Sequence, residues 1–292
     1  MLNHKVLKKI ALLLILSVSI ASCSSEKVES VYENVEELNG RDMGCMSGSI
    51  FDETIREVFP ASKITYFSSR SELLLGLGSG KIEAFVSDEP VAMMMCKQNE
   101  GVTYLPEAIG EVEYGICFSE NASSKLTEFD QFLAKISSNG HLEELQKKWI
   151  APEGTSQKKE EIELSKENGT LRCVTTPDAA PFSFMSGNVF QGYEVEILNE
   201  FCYEYGYDLQ IDTVSFDALL TSVAMNKYDV AFNGIYITPE RAKSVNFCTP
   251  VYKGNVVVMI RSGSVENDKN LIGSIREASI RILSKKTGIC FC

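Results

Sequence analysis

The chain has 292 residues, 44% hydrophobic and 23% charged, which is enough apolar material for one large or two small packed domains. A formal net charge of −12 repels phosphate backbones, and no Lys/Arg-rich block after the N-terminus reverses it, which excludes nucleic acid as the expected partner. With two histidines, His4 and His141, no histidine metal cluster can form, and neither a C-x-x-C pair nor a G-K-[ST] phosphate loop is present, so no metal or other cofactor is expected.

In chain order, Lys5, Lys8 and Lys9 precede an apolar run over 10–20 that is too short for a comfortable membrane span. Small residues follow and then Cys23, in the string Ile20-Ala21-Ser22-Cys23. That order resembles a bacterial lipoprotein signal, in which cleavage before the cysteine exposes a thiol for lipidation. A plain secretory signal with an incidental Cys23 is the alternative. Residues 1–22 are expected to be signal and 23–36 a polar, acidic tether. Cys45, Cys96, Cys117, Cys173, Cys202 and Cys248 stand singly in apolar strings and read as small hydrophobes.

From residue 37 the pattern alternates. Strands are predicted over 42–46, 63–67 and 82–86, with helices over 51–58, 71–77 and 90–96, which argues a parallel sheet with crossover helices. A strand over 112–118 and amphipathic helices over 125–136 and 141–149 close a first unit, 37–150. Residues 151–168 are charged and polar with almost no large apolar side chain, and read as a linker. A second unit, 169–261, carries strands over 171–175, 209–214, 229–232 and 251–260 and helices over 193–205 and 218–224. Residues 262–292 lose clear pattern and read as an irregular tail, possible remnant of a truncated chain.

The two units echo each other. Lys81 to Asp88 and Lys227 to Gly234 both run lysine, any residue, acid, buried strand, polar end. Open α/β sheets bind ligands beyond the carboxyl ends of their strands, where Asp88, Asn233 and Gly234 stand. Two similar α/β lobes and a chance echo of short α/β units are both open on this ground.

Residues 170–257 carry Pro181-Phe-Ser-Phe, Gly192-Tyr-Glu-Val-Glu, Lys227-Tyr-Asp-Val-Ala and Ile237-Thr-Pro-Glu-Arg-Ala-Lys-Ser-Val-Asn-Phe-Cys-Thr-Pro-Val-Tyr. These strings resemble the N-terminal part of the family-3 bacterial solute-binding proteins that serve polar amino-acid ABC transporters. Residues 35–150 resemble the remainder, with Glu37-Leu-Asn-Gly-Arg, Ser47-Gly-Ser, Gly80-Lys-Ile-Glu-Ala-Phe-Val-Ser-Asp and Lys148-Trp149. The resemblance implies an α/β fold of two Rossmann-like lobes, the type II periplasmic-binding-protein fold, here circularly permuted: 37–150 would be lobe 2 plus the return segment of lobe 1, and 169–261 the body of lobe 1. A truncated tandem is the competing order.

The resemblance also implies a site. Arg241 matches the arginine that clamps a ligand carboxylate, and a planar guanidinium forks onto two oxygens as lysine cannot. Ser47, Gly48 and Ser49 match the lobe 2 turn whose free N–H groups attract the same carboxylate. Asp88 matches the acid that receives the ammonium, although read alone it could equally cap a helix. Asn233, Gly234 and Tyr236 match lobe 1 ligand positions, and Phe216 an aromatic wall that could also be plain core. Thr176 stands where relatives place an acid and Ala179 where many place an aromatic platform, so ligand identity does not carry over. The implied function is a non-enzymatic, lipid-anchored binding protein outside the cytoplasm that captures an amino-acid-like solute for an ABC permease. A sensing or vestigial fragment of a binding-protein/permease fusion, or a lyase or dehydratase on the same fold, is the alternative.

Overall fold

A computed structural model describes residues 32–151 and 163–263. Cys23, the signal, most of the linker and most of the tail lie outside the described residues. In chain order the elements are β1 (Asp42–Met46), α1 (Phe51–Val58), β2 (Lys63–Phe67), α2 (Arg70–Gly78), β3 (Ala84–Asp88), α3 (Glu89–Gln98), β4 (Val102–Tyr114), β5 (Cys117–Phe118), α4 (Ser123–Ser138) and α5 (His141–Trp149). They continue with β6 (Thr170–Thr175), β7 (Asp178–Ala179), β8 (Ser183–Ser186), β9 (Val189–Gln191), α6 (Tyr193–Tyr205), β10 (Asp208–Thr213), α7 (Leu219–Ala224), β11 (Val230–Ala231), β12 (Asn246–Phe247) and β13 (Tyr252–Arg261).

The strands form two five-stranded mixed sheets, one in each lobe, and a small meander. The first sheet has the order β2-β1-β3-β13-β4, the second β10-β6-β11-β5-β12, and β7-β8-β9 is the meander. In each large sheet the first three strands are parallel, joined by crossover helices, and the last two are antiparallel additions. The parallel part is what the alternating pattern predicts.

The antiparallel strands correct the sequence reading in one respect. β13 belongs to the first sheet, between β3 and β4, rather than to the body of the second unit. Residues 256–260 are buried without interruption, so both faces of this strand are covered, as only a central strand allows. Conversely, β5 comes from the first unit and pairs with β11 and β12 of the second sheet. The chain therefore crosses between sheets twice, at 115–116 and at 248–251. The crossings are bonded to each other: Cys248 N–H donates to the Ile116 carbonyl at 3.0 Å and Val251 N–H to that of Tyr114 at 2.9 Å.

Helices α4 and α5 pack on α6 and so belong with the second sheet. Phe129 meets Phe201 edge-on with centroids 5.1 Å apart, and Phe132 lies 5.8 Å from the same ring. Around this apolar seam Lys135 pairs with Glu204 at 2.7 Å and Lys148 with Glu196 at 2.7 Å. Trp149 Nε1 donates to Glu196 as well, so that one buried acid holds the end of α5. Cys45, Cys117, Cys173 and Cys248 are buried free thiols, the packing role expected for isolated cysteines.

Candidate functional site between the sheets

The loops at the carboxyl ends of both parallel sheets meet at one seam. From the first sheet, β1 ends in the turn over 47–50. Gly48 has φ +79°, and a Cβ there would lie 2.6 Å from Cα of Asp217, so the turn touches the other lobe where only glycine fits. Ser49 turns inward, its Oγ donating to the Met46 carbonyl at 2.7 Å, which stiffens the turn. Ser47 lies beside it, partly exposed.

Arg241 reaches this turn from the opposite lobe. Thr238 Oγ1 accepts the Arg241 N–H at 3.2 Å and opens the single helical turn Arg241–Lys243. The guanidinium donates through Nη1 to the Tyr236 carbonyl at 3.1 Å and through Nη2 to the Gly48 carbonyl at 3.1 Å. Burial lowers its pKa from the ordinary value. A cavity of about 20 Å3, bordered by Gly48, Phe216, Ile235 and Arg241, lies beside it.

Asp88 ends β3 and is 4% exposed. Its Oδ1 accepts from Tyr114 Oη at 2.9 Å and from Tyr236 Oη in a short contact. Tyr114 stands at the first crossing and Tyr236 on the second lobe, so Asp88 is held from both sides. Burial pushes its carboxyl up, while Arg70 and the two hydroxyls pull it back. Arg241 and Asp88 thus come from opposite lobes to one seam without forming an ion pair with each other.

Asn233 and Gly234 follow β11. Asn233 Nδ2 donates to Thr175 Oγ1 at 3.2 Å and to the Thr176 carbonyl at 3.3 Å. Thr176 Oγ1 donates to Asp178 at 2.6 Å. Gly234 N–H donates to Glu194 Oε2 at 2.9 Å, whereas Glu194 Oε1 is buried with no partner among the described residues. Phe216 is half-buried, between this wall and Arg241. The ten candidate ligand residues therefore gather at the seam, although Ser49 and Thr176 spend their hydroxyls on neighbours of their own lobe.

Two residues that sequence reasoning missed stand among them. Arg70 opens α2 behind the capping residue Ser69, whose side chain accepts the Glu72 N–H. It is 7% exposed and crosses the seam, Nη1 lying 3.4 Å from Asp178 Oδ1 and 3.3 Å from Asn233 Oδ1, with its guanidinium 5.9 Å from the Phe216 ring centroid. Glu194 is fully buried beneath Gly234. Its place in the Gly192-Tyr-Glu string was a signal that could have found it, whereas Arg70 in Ser-Ser-Arg-Ser carries none. A larger cavity, about 650 Å3 between Cys96, Tyr104 and Ser262, lies apart from all of these. Among the described residues no cluster of three His, Cys, Asp or Glu could hold a metal, and no helix is long and apolar enough to cross a membrane.

A two-lobed α/β protein with facing charged loops at its seam is the class this geometry defines. Residues 171–287 match the family described as bacterial extracellular solute-binding proteins, family 3. The arginine-binding extracellular protein ArtP of Bacillus subtilis is 28% identical over 133 residues, covering 42% of this chain and 52% of that protein. The ABC transporter arginine-binding protein 1 of Escherichia coli is 31% identical over 94 residues, 32% of this chain and 39% of its own length. The chain thus aligns with about half or less of these relatives. Among solved structures, a putative L-cystine ABC transporter protein from Listeria monocytogenes aligns with 84% of this chain and 94% of its own at 11% identity and a TM-score of 0.37.

Burial pushes the Glu194 carboxyl from 4.5 up to about 8. The folded chain then holds this proton more tightly than the unfolded chain, so its contribution favours folding at acid pH and is lost as pH rises from 4.5 to about 8. Glu194→Gln keeps an acceptor for Gly234 and removes the titration. Urea unfolding of the variant is expected to lose part of the decline in stability across that window. An unchanged profile would show that Glu194 does not titrate there.

Proposed function

We propose that this chain captures an amino acid between its two lobes and hands it to an ABC transporter permease. The observation that carries the reading is Arg241: a half-buried guanidinium of one lobe set against the glycine turn of the other, with the acid Asp88 on that second side. A free amino acid brings a carboxylate and an ammonium, and a closing site must meet both or leave a charge unpaired. In this reading the carboxylate lies between Arg241 and the Gly48 N–H, since the N–H groups of Ser47 and Ser49 already donate to the Phe67 and Met46 carbonyls, and the ammonium lies on Asp88, whose raised carboxyl then falls as a cation arrives. Asn233, Gly234, Tyr236, Thr176 and Phe216 form the remaining wall. The curated relatives, named as binders of arginine, glutamine and cystine, support an amino acid as ligand and binding rather than catalysis as the task.

We read the chain order as a circular permutation. Its support is that the family match begins at residue 171, while the segments before it supply four of the first sheet's five strands and the helices on α6. The leader with Cys23 at its small-residue end supports a lipid anchor outside the cytoplasm.

Two experiments test this. An amino acid that raises the melting temperature is titrated calorimetrically into the wild type and into Arg241→Ala. Leaving the partner charge buried and unpaired costs ~3–5 kcal/mol, so affinity is expected to fall at least about a hundredfold. Binding within threefold of wild type would show that the pocket lies elsewhere. For the anchor, Cys23→Ser is expected to release the protein from salt-washed membranes, and continued membrane partitioning would rule lipidation at Cys23 out.

A further inference from the structure

Arg70 is a second guanidinium at the seam, and the carboxylate-clamping role of Arg241 does not account for it. It begins α2 of the first lobe, yet its contacts, Asp178, Asn233 and Phe216, all belong to the second. Those contacts are weak for so buried a cation. A charge-assisted N–H···O bond runs at about 2.7–2.9 Å, whereas the Arg70 guanidinium uses only Nη1, at 3.4 and 3.3 Å, and the Arg70 backbone N–H adds a bond to Asp178 Oδ2 at 3.4 Å. Nε and Nη2 bond to no group among the described residues. Asp178 is meanwhile engaged more closely by Thr176, at 2.6 Å. A desolvated guanidinium with idle donors favours a planar anion.

The two arginines share one aromatic ring. Phe216 borders the small cavity beside Arg241 and carries Arg70 5.9 Å from its centroid. The seam therefore presents two cations beside one aromatic ring, with Asp178 next to Arg70 and Asp88 within electrostatic reach of both guanidinium groups. An amino acid with an acidic side chain offers the complement: α-carboxylate, α-ammonium, short aliphatic stem and distal carboxylate.

Building on the reading of this seam as an amino-acid site, we propose that Arg70 sets its specificity by receiving the distal carboxylate of an acidic amino acid, with Phe216 under the aliphatic stem. A cationic side chain would meet Arg70 as a like charge and be rejected. The preference then differs from that in the names of the arginine-binding relatives.

The test titrates L-glutamate, L-aspartate, L-glutamine, L-alanine, L-arginine and glutarate into the full chain and into Arg70→Gln and Arg70→Lys, each first shown folded by its melting temperature. The wild type is expected to bind one acidic amino acid at least tenfold more tightly than L-glutamine, L-alanine, L-arginine or glutarate. Arg70→Gln should weaken that ligand at least tenfold while moving L-glutamine less than threefold, and Arg70→Lys should restore part of the preference. If the wild type binds L-arginine more tightly than the acids, or if Arg70→Gln shifts every ligand equally in either direction, the inference fails and Arg70 only joins the lobes. If the wild type binds no amino acid, the underlying reading of the site fails with it.

Discussion

A guanidinium held at a seam between two bodies needs acceptors from the body it faces, and this constraint organises the seam. Arg241 and Arg70 face each other's lobes: the first leaves the second sheet to touch the Gly48 turn, the second leaves the first sheet to touch Asp178 and Asn233. Arg241 bonds only to carbonyls among the described residues and Arg70 reaches Asp178 only at 3.4 Å, so both keep donor capacity for an anion. Asp88 is the reciprocal case, a buried carboxylate stabilised by tyrosine hydroxyls from the crossing and from the other lobe rather than by a cation. On the proposed reading, a seam built from incompletely matched charges opens at little cost and gains much when a complementary zwitterion arrives.

The two chain crossings make that opening mechanically sensible. Residues 115–116 and 248–251 run side by side and bond to each other, so the sheets are joined by a two-stranded strap next to the site. Tyr114 sits on this strap, stacked on Phe182 and bonded to Asp88, and so couples the connection to the acid of the site. On the proposed reading, this strap is the hinge about which the loops at the strand ends approach or part.

Much of this was legible in the sequence, for identifiable reasons. The parallel strands β1, β2, β3, β6, β10 and β11 lie within a few residues of the predicted spans because short apolar runs between helical patterns are local signals. Asp88, Asn233 and Gly234 were found at strand ends for the same reason. The first half of β4 went unread because Val102 and Leu105 alone are buried in it and Pro106 interrupts the pattern. The sheet membership of β13 was misassigned because a buried strand announces that it is central, not which sheet it is central to. Arg70 was invisible since an arginine after a capping serine looks like any solvated first helical turn. Only the opposing lobe, more than a hundred residues away in sequence, buries it.

The most direct measurement is a crystal structure of the full chain grown with an amino acid that raises its melting temperature. The account predicts the ligand at the seam, its carboxylate on the Arg241 guanidinium and the Gly48 N–H, and its ammonium within hydrogen-bond distance of Asp88. A ligand seated elsewhere, or at the seam with Arg241 and Asp88 still engaged only by Gly48, Tyr236 and Tyr114, would contradict it.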